Sequence, residues 1–312
     1  MSIKVFCFSE NAASLRVLVE LANKISGVEG VYAAAPKTVA DSVSHGLKAA
    51  TLYSLEPDSP SSMVSRRYAD TLHELVRRVD ASLILVGATK FGKEVCGVLG
   101  ALLDAPVSTD CREVKVGEGF VEVTRTVYSG NGVATETLSR LPAVVSVQTG
   151  GETVSVNSGA PSVEAVTLAE GDANVVVLDV RPKQGGKVKL EEAQRIVAVG
   201  RGLQKKEDLA IAEELASTLN AALGCTRPIA ADLGWLGDDQ WIGLSGHKVK
   251  PKLYVAVGIS GQVQHIAGMR ESGVVVSVNK DPNAPIVQNS DYAIVGDLYQ
   301  VVPELVKALK SA

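Results

Sequence analysis

The segment Pro251-Lys-Leu-Tyr-Val-Ala-Val-Gly-Ile-Ser-Gly-Gln-Val-Gln-His-Ile-Ala-Gly268 contains an apolar strand, a turn with glycines, and the start of a helix. The apolar run Leu253–Val257 stops at Gly258, and a polar turn with Ser260 and Gly261 precedes the helix. Alternating strands and helices are typical of an open parallel sheet, in which ligands bind outside the carboxyl ends of the strands. The segment therefore predicts a binding crevice at the turn that follows its strand.

Two further predicted strands end close to polar side chains. The run Val274–Val278 is followed by Asn279, and the run Tyr292–Val295 is followed by Gly and then Asp297. Parallel strands bring their carboxyl ends to one edge of a sheet, so we expect both side chains to share the crevice with Ser260. There they could bond ribose hydroxyls, as a carboxylate does in dinucleotide-binding folds. A turn or helix cap explains each side chain equally well when it is taken alone.

The chain of 312 residues is long enough for two domains, and a polar segment with two glycines at 181–189 marks a linker. Residues 1–182 alternate strand and helix and become β-rich after Pro106. Residues 183–312 hold the strand and helix alternation, with one helix predicted over Glu207–Leu223. The predicted fold class is therefore α/β in two domains: an N-terminal α/β domain with an antiparallel β elaboration, and a C-terminal doubly wound parallel-sheet domain.

Composition argues against several classes of protein. The net charge is -4 and only 4% of residues are aromatic, which does not favour nucleic-acid binding. The four cysteines are widely spread and the four histidines lack metal-ligand spacing, so we expect neither a disulfide framework nor a metal site. No apolar run reaches membrane-spanning length and no signal peptide is visible. We therefore predict a cytoplasmic or similarly reducing location without membrane insertion.

The turn at Ser260 suits anion binding better than nucleophilic catalysis. The sequence Gly-Ile-Ser-Gly lacks the last glycine of a nucleophile elbow. Flanking glycines and a following helix offer backbone N–H groups to a pyrophosphate. The glycine spacing is not GxGxxG, so a plain strand-to-helix turn stays open. His265 is either a packed histidine or a functional one, and Arg201, between two glycines, is either a solvated turn residue or a cation aimed into the crevice.

Taken together, these residues resemble the electron-transfer flavoprotein alpha subunit over nearly the whole chain. The C-terminal signature is the most specific part, and the N-terminal match is looser. The matching segments are Gly87–Lys93, Arg125–Asn131, Gly200–Leu203, Thr226-Arg227, Val257–His265, Val278–Pro285 and Asp297-Leu298.

The resemblance implies FAD as the cofactor, held mainly by the C-terminal domain, and a beta subunit as partner, docked by the N-terminal domain. Such a heterodimer accepts electrons from donor dehydrogenases and passes them on in one-electron steps, commonly to a quinone oxidoreductase. It is an electron carrier rather than a classical enzyme. Two alternatives stay open: a bifurcating form that oxidises NADH with a second FAD in the partner, and a non-redox adenine-nucleotide-binding protein. The hypothesis of an NAD-dependent enzyme has less support, because no catalytic acid or base is evident.

The resemblance also assigns residues to the cofactor. Arg227 would lie beside the isoalloxazine ring, where positive charge favours a negatively charged reduced flavin. Ser245 stands at the position of a hydroxyl residue that bonds flavin N5, and His265 would donate to the pyrimidine carbonyl. Leu244 replaces an amide that is frequent in the family. The expected cofactor-binding residues are Arg201, Thr226, Arg227, Ile242, Gly243, Leu244, Ser245, Ser260, Gly261, Gln262, Val263, Gln264 and His265, with Asn279, Asp297 and Leu298 on the adenosine side.

Overall fold

The computed structural model describes residues 3–128, 132–149, 159–170, 175, 177–180 and 190–311. The chain divides into two compact units, Met1–Pro182 and Lys183–Ala312. The polar segment predicted as the linker, 181–189, lies outside the described residues, so its role stays a prediction. Within the described ranges, no helix combines the length and apolar character needed to cross a membrane.

The first unit contains a mixed sheet, for which the described residues supply nine strands. Its strand order is β7-β6-β5-β8-β4-β1-β2-β3-β9, and the pairs β5/β6 and β6/β7 are antiparallel while the others are parallel. Helices α1 and α2 cover one face, and α3 and α4 cover the other. The predicted α/β domain with an antiparallel elaboration is confirmed. The elements are β1 (Ile3–Phe8), α1 (Ala12–Lys24), β2 (Val28–Pro36), α2 (Lys37–Val43), β3 (Thr51–Glu56), α3 (Ser65–Val79), β4 (Leu83–Gly87), α4 (Lys90–Leu103), β5 (Val107–Val116), β6 (Val121–Val127), β7 (Gly132–Leu138), β8 (Ala143–Val147) and β9 (Ser162–Thr167).

The second unit is a parallel sheet with strand order β11-β10-β12-β13-β14. Helices α5 and α8 pack on one face of this sheet, and α6 and α7 pack on the other. Coverage of both faces is the doubly wound arrangement that the sequence predicts. The elements are β10 (Arg195–Val199), α5 (Leu209–Thr218), β11 (Ala222–Cys225), β12 (Leu253–Val257), α6 (Val263–Met269), β13 (Val274–Asn279), α7 (Pro285–Gln288), β14 (Tyr292–Val295) and α8 (Leu298–Ser311).

The helix predicted over Glu207–Leu223 is wrong at its C-terminal end, because α5 stops at Thr218 and the following residues form β11. Asn220 has a φ of 48°, a left-handed conformation that an α-helix of L-residues does not continue through. Residues Ala222–Cys225 then pair in parallel with β10. The local sequence is rich in alanine and leucine, which favour helix, so the strand depends on its partner rather than on local propensity.

The sheet of the second unit has its switch point between β10 and β12. From β10 the chain passes to β11 on one side, and it returns to β12 on the other. The Gly202 backbone N–H donates to the Gly258 carbonyl at 2.9 Å. A Cβ on Gly202 would lie 2.5 Å from the Gly258 Cα, so only glycine lets the two turns approach this closely. A crevice is expected where such turns diverge beyond the strand ends.

The turn after β12 is fixed against α7. Gly261 has a φ of 81°, which L-residues with a side chain rarely adopt. The Ile286 backbone N–H donates to the Ser260 carbonyl at 3.1 Å, and a Cβ on Gly261 would lie 2.2 Å from the same nitrogen. The conformation of the turn therefore depends on the absence of a side chain at this position.

We predict that Gly261→Ala destabilises the second unit more than Gly234→Ala does. Both glycines have positive φ, which costs alanine about 1–2 kcal/mol. Open space surrounds the Cβ position of Gly234, whereas the clash at Gly261 adds roughly 1–3 kcal/mol. Urea unfolding followed by tryptophan fluorescence measures the difference, since Trp235 and Trp241 both lie in this unit. Equal losses of stability would show that the turn yields without cost.

Candidate functional site

A crevice of about 500 Å³ opens at the carboxyl ends of β11, β10, β12 and β13. Its walls are the turns Gly200–Gly202, Thr226–Pro228 and Gly258–Gln262, together with Asn279 and the loop Trp241–Ser245. This volume lies in the usual range of ligand pockets. The predicted crevice therefore exists, and four neighbouring strands build it.

The loop Trp241–Ser245 is held in place by backbone hydrogen bonds at both ends. The Ile242 N–H donates to the Cys225 carbonyl at 2.9 Å, and the Leu244 N–H donates to the Gln264 carbonyl at 2.7 Å. These bonds connect the loop to β11 and to α6. The loop thus borders the crevice from fixed backbone positions, with Leu244 46% exposed and Ile242 buried in the core.

Thirteen of the sixteen predicted residues line the crevice, and three do not. Val263 is 47% exposed. Asp297 uses Oδ1 to accept from the Tyr299 N–H at 2.9 Å, as a cap at the start of α8. Leu298 is buried in the core beneath Gly258. The cofactor contacts assigned to all sixteen residues stay predictions. Those lining the crevice are Arg201, Thr226, Arg227, Ile242, Gly243, Leu244, Ser245, Ser260, Gly261, Gln262, Gln264, His265 and Asn279.

The turn after β12 presents a run of unpartnered backbone donors. Among the described residues, no protein group accepts a hydrogen bond from the N–H of any residue in 260–264. Part of this run is the first turn of α6, whose N–H groups have no partner within the helix. Successive N–H groups in a turn form a concave site for phosphate oxygens. This wall of the crevice therefore suits an anion.

Two guanidinium groups add permanent positive charge, since arginine stays protonated in proteins. Arg201 and Arg227 both line the crevice and are exposed. The Arg227 Cζ lies 5.5 Å from the centroid of the Trp241 ring, within the range of a cation–π contact. The indole thus helps to hold one of the two cations. Sequence reasoning missed Trp241, although it is one of two tryptophans in a chain poor in aromatic residues.

His265 is 6% exposed, and both of its ring nitrogens have partners inside the protein. Nδ1 lies 3.1 Å from the Ile242 carbonyl oxygen, and Nε2 lies 2.9 Å from the Tyr254 hydroxyl. Burial lowers the pKa of His265 to about 4, against a smaller opposing effect of the hydrogen bond to Ile242. The ring is therefore neutral near pH 7. Both nitrogens have partners inside the protein here, and the expected donation to the pyrimidine carbonyl stays a prediction.

The Asn279 amide connects two turns of the crevice. Its Nδ2 donates to the Ile259 carbonyl at 2.7 Å, and its Oδ1 accepts from the Asp281 N–H at 3.0 Å. The turn-cap role left open by the sequence is therefore present. Asp281 also lines the crevice, and sequence reasoning missed it. The available signal was its place two residues beyond the end of β13, where a carboxylate can reach a ribose.

The cysteine beside the crevice is not available as a nucleophile. The Cys225 thiol is buried at the end of β11, and burial raises its pKa to about 12, so it stays protonated. Across the described ranges, no cluster of three or more His, Cys, Asp or Glu side chains could hold a metal ion. The arrangement can bind an anion, accept a flat ring beside an indole, and supply positive charge.

Comparison with known proteins agrees with this chemistry. Residues 189–270 match the model of the electron transfer flavoprotein FAD-binding domain, and residues 11–172 match that of the electron transfer flavoprotein domain. Protein FixB of Escherichia coli O127:H6 (strain E2348/69 / EPEC) is 33% identical, and the alignment covers 98% of each chain. Protein FixB of Shigella dysenteriae serotype 1 (strain Sd197) is 36% identical over 80% of this chain and 81% of its own.

The FAD-binding match contains most of the crevice, from the Gly200–Gly202 turn to His265. The second match accounts for most of the first unit. With relatives that align over nearly its full length, the chain belongs to the electron-transfer flavoprotein alpha-subunit family, and FAD is its cofactor.

Proposed function

We propose that this chain is the FAD-holding subunit of a heterodimeric electron carrier, which accepts electrons from dehydrogenases and passes them on singly towards a quinone oxidoreductase. The observation that carries the proposal is the composition of the crevice. It combines five unpartnered N–H groups and two guanidinium groups with a neutral histidine whose nitrogens are both occupied. Such a site suits a cofactor that brings its own redox chemistry.

The residues present fit FAD. A pyrophosphate needs several converging donors, and the N–H groups of 260–264 provide them. The adenosine end needs a hydroxyl acceptor, for which Asp281 is placed at the end of β13. The isoalloxazine needs a flat apolar wall, which Trp241 and Ile259 provide. When bound, the flavin supplies the electron-transfer chemistry, while the protein supplies position and electrostatics.

The two arginines would act on the charge of the cofactor. Arg201 and Arg227 lie on turns after adjacent strands, β10 and β11, so both guanidinium groups belong to one edge of the sheet. A cation near the ring lowers the free energy of the form that carries an extra electron. Trp241 restricts the Arg227 side chain through its cation–π contact. Leu244 presents an apolar side chain at the crevice. The hydrogen bond that a side-chain amide would make at this position in the family is therefore absent.

The partner we propose is an electron-transfer flavoprotein beta subunit, as the family implies. To test the proposal, the tagged chain is purified from its native host with the proteins that accompany it, and the bound flavin is counted during stepwise reduction. One flavin beside a second chain of similar size supports the simple carrier. Two flavins, with reduction by NADH, would indicate the bifurcating form instead. A colourless complex that stays colourless with added FAD would exclude both.

We predict that Arg227→Ala lowers the midpoint potential of the first one-electron step of the bound flavin by ~60 mV, the equivalent of a tenfold change in the equilibrium constant. The reason is the loss of one permanent positive charge at the crevice. Spectroelectrochemical titration measures the potential. Arg195→Ala is the matched control, because Arg195 is exposed at the opposite end of β10 and donates to the Leu219 carbonyl. Equal potentials in the two variants would remove Arg227 from this role.

We also predict that FAD quenches the fluorescence of Trp241 more than that of Trp235. Both tryptophans pack against the core on the α5 and α8 face of the sheet, but Trp241 also lines the crevice and Trp235 does not. Each tryptophan is observed alone in the variants Trp235→Phe and Trp241→Phe, since the chain has only two. Flavin-free protein is titrated with FAD, the emission of a variant with both substitutions is subtracted as the contribution of any partner chain, and the fractional losses are compared. Greater quenching of Trp235 would place the ring elsewhere.

A further inference from the structure

Tyr254 lies beneath the crevice, and its hydroxyl hydrogen-bonds to the side chain of His265. It belongs to β12, is 0% exposed, and packs in the core on the α6 face of the sheet. Its hydroxyl lies 2.9 Å from His265 Nε2, and no other hydrogen-bond partner of that hydroxyl exists among the described residues. A buried tyrosine hydroxyl normally needs a partner, and here the imidazole is that partner.

The Ile242 carbonyl determines which atom donates and which accepts in both hydrogen bonds of the His265 ring. The Ile242 carbonyl can only accept, so His265 Nδ1, at 3.1 Å, carries the hydrogen. In the neutral ring Nε2 is then bare, and it accepts from the Tyr254 hydroxyl. In this state the Tyr254 hydroxyl, both ring nitrogens of His265 and the Ile242 carbonyl each have a hydrogen-bond partner. The other neutral tautomer would leave Nδ1 without a hydrogen facing a carbonyl oxygen.

Protonation of His265 would break this arrangement. The imidazolium carries a hydrogen on Nε2, so the Tyr254 oxygen would have to accept, and its own hydrogen would lose its acceptor. A buried donor without a partner is costly, and this cost adds to that of burying a cation. Tyr254 therefore opposes the charged ring through a hydrogen bond to the neutral form.

Within the described residues, no charged side chain contributes to the shift of the His265 pKa. The lowered pKa of His265 arises from burial, and the opposing contribution is the Ile242 carbonyl, a neutral group. Burial keeps the Tyr254 hydroxyl and the Cys225 thiol protonated, because it raises the pKa of both. Polar or charged groups on adjoining elements include the buried hydroxyl of Ser277 on β13 and the ion pair of Lys250 with Glu271. Others are Gln262, Gln264 and Arg270 on and beside α6, His247 paired with Glu191 at 3.1 Å, and Arg201, Arg227 and Asp281 at the crevice.

We infer that Tyr254 is a positioning residue that fixes His265 as the neutral Nδ1–H tautomer, so that the positive charge offered to the cofactor comes from guanidinium groups and does not change across the neutral pH range. The inference rests on the proposed function for its consequence at the flavin. The tautomer itself is a property of this chain.

The first test measures the tautomer and titration of His265 by nitrogen-15 NMR in the full chain, with its partner where that co-purifies. The signal is assigned by its absence in His265→Gln, since the chain has four histidines. We expect an Nδ1–H ring that stays neutral from about pH 5 to 8. In Tyr254→Phe we expect proton binding to strengthen about tenfold. Tyr292→Phe, the same change at an exposed tyrosine of this unit, should leave the titration unchanged.

An Nε2–H ring in the unmodified protein would overturn the inference, and so would equal titration in Tyr254→Phe and the unmodified protein. If Tyr254→Phe does not fold, the tautomer of the unmodified protein still decides, because only the Nδ1–H form agrees with the inference. If the protein binds no FAD, the proposed function fails while this measurement on the flavin-free chain keeps its meaning.

The second test uses the flavin as a sensor of charge. The midpoint potential is measured against pH for the holoprotein and for Tyr254→Phe, and the difference between the two is plotted, which cancels the proton uptake of the flavin itself. We expect this difference to grow as the pH falls. Without the Tyr254 hydroxyl, part of the His265 imidazole becomes protonated and places positive charge near the flavin. A difference that is constant with pH would overturn the link between Tyr254 and the charge of the site.

Discussion

The hydrogen bond between Gly202 N–H and the Gly258 carbonyl holds together the two turns from which the crevice is built. It closes the switch point of the sheet, where the turns after β10 and β12 meet without side chains between them. Beyond this contact one turn presents Arg201 and the other presents the N–H groups of 260–264. Cation and anion-binding donors therefore have fixed relative positions because two backbone segments touch.

The geometry of the two turns also exposes the arginine side chains and buries the histidine. Side chains that point outward from the turns, such as Arg201 and Arg227, reach solvent and stay charged. His265 follows the turn after β12 into the first turn of α6, where its ring lies over Tyr254 and is shielded from water. Burial and the hydroxyl partner then act in the same direction, towards a neutral ring. The crevice thus combines permanent cations with a histidine that does not add to them.

What the sequence predicts well is what local pattern determines. The apolar run Leu253–Val257 and the glycines after it signal a strand and a tight turn, and both are present. Features that depend on a distant partner were missed. Ala222–Cys225 is a strand only because β10 lies beside it. The fate of the His265 N–H depends on Tyr254, eleven residues away, and on a carbonyl twenty-three residues away. Residue type at a motif position indicates a site but does not determine which hydrogen bonds remain free.

This division bears on the electron transfer that we propose for the bound flavin. Arginine provides charge that is independent of pH. A histidine in equilibrium with solvent would titrate near neutrality and couple the potential to it. In the role that we infer for Tyr254, the histidine held between Tyr254 and the Ile242 carbonyl lines the crevice without adding a titrating charge. The buried tyrosine therefore contributes to function by preventing a charge from forming.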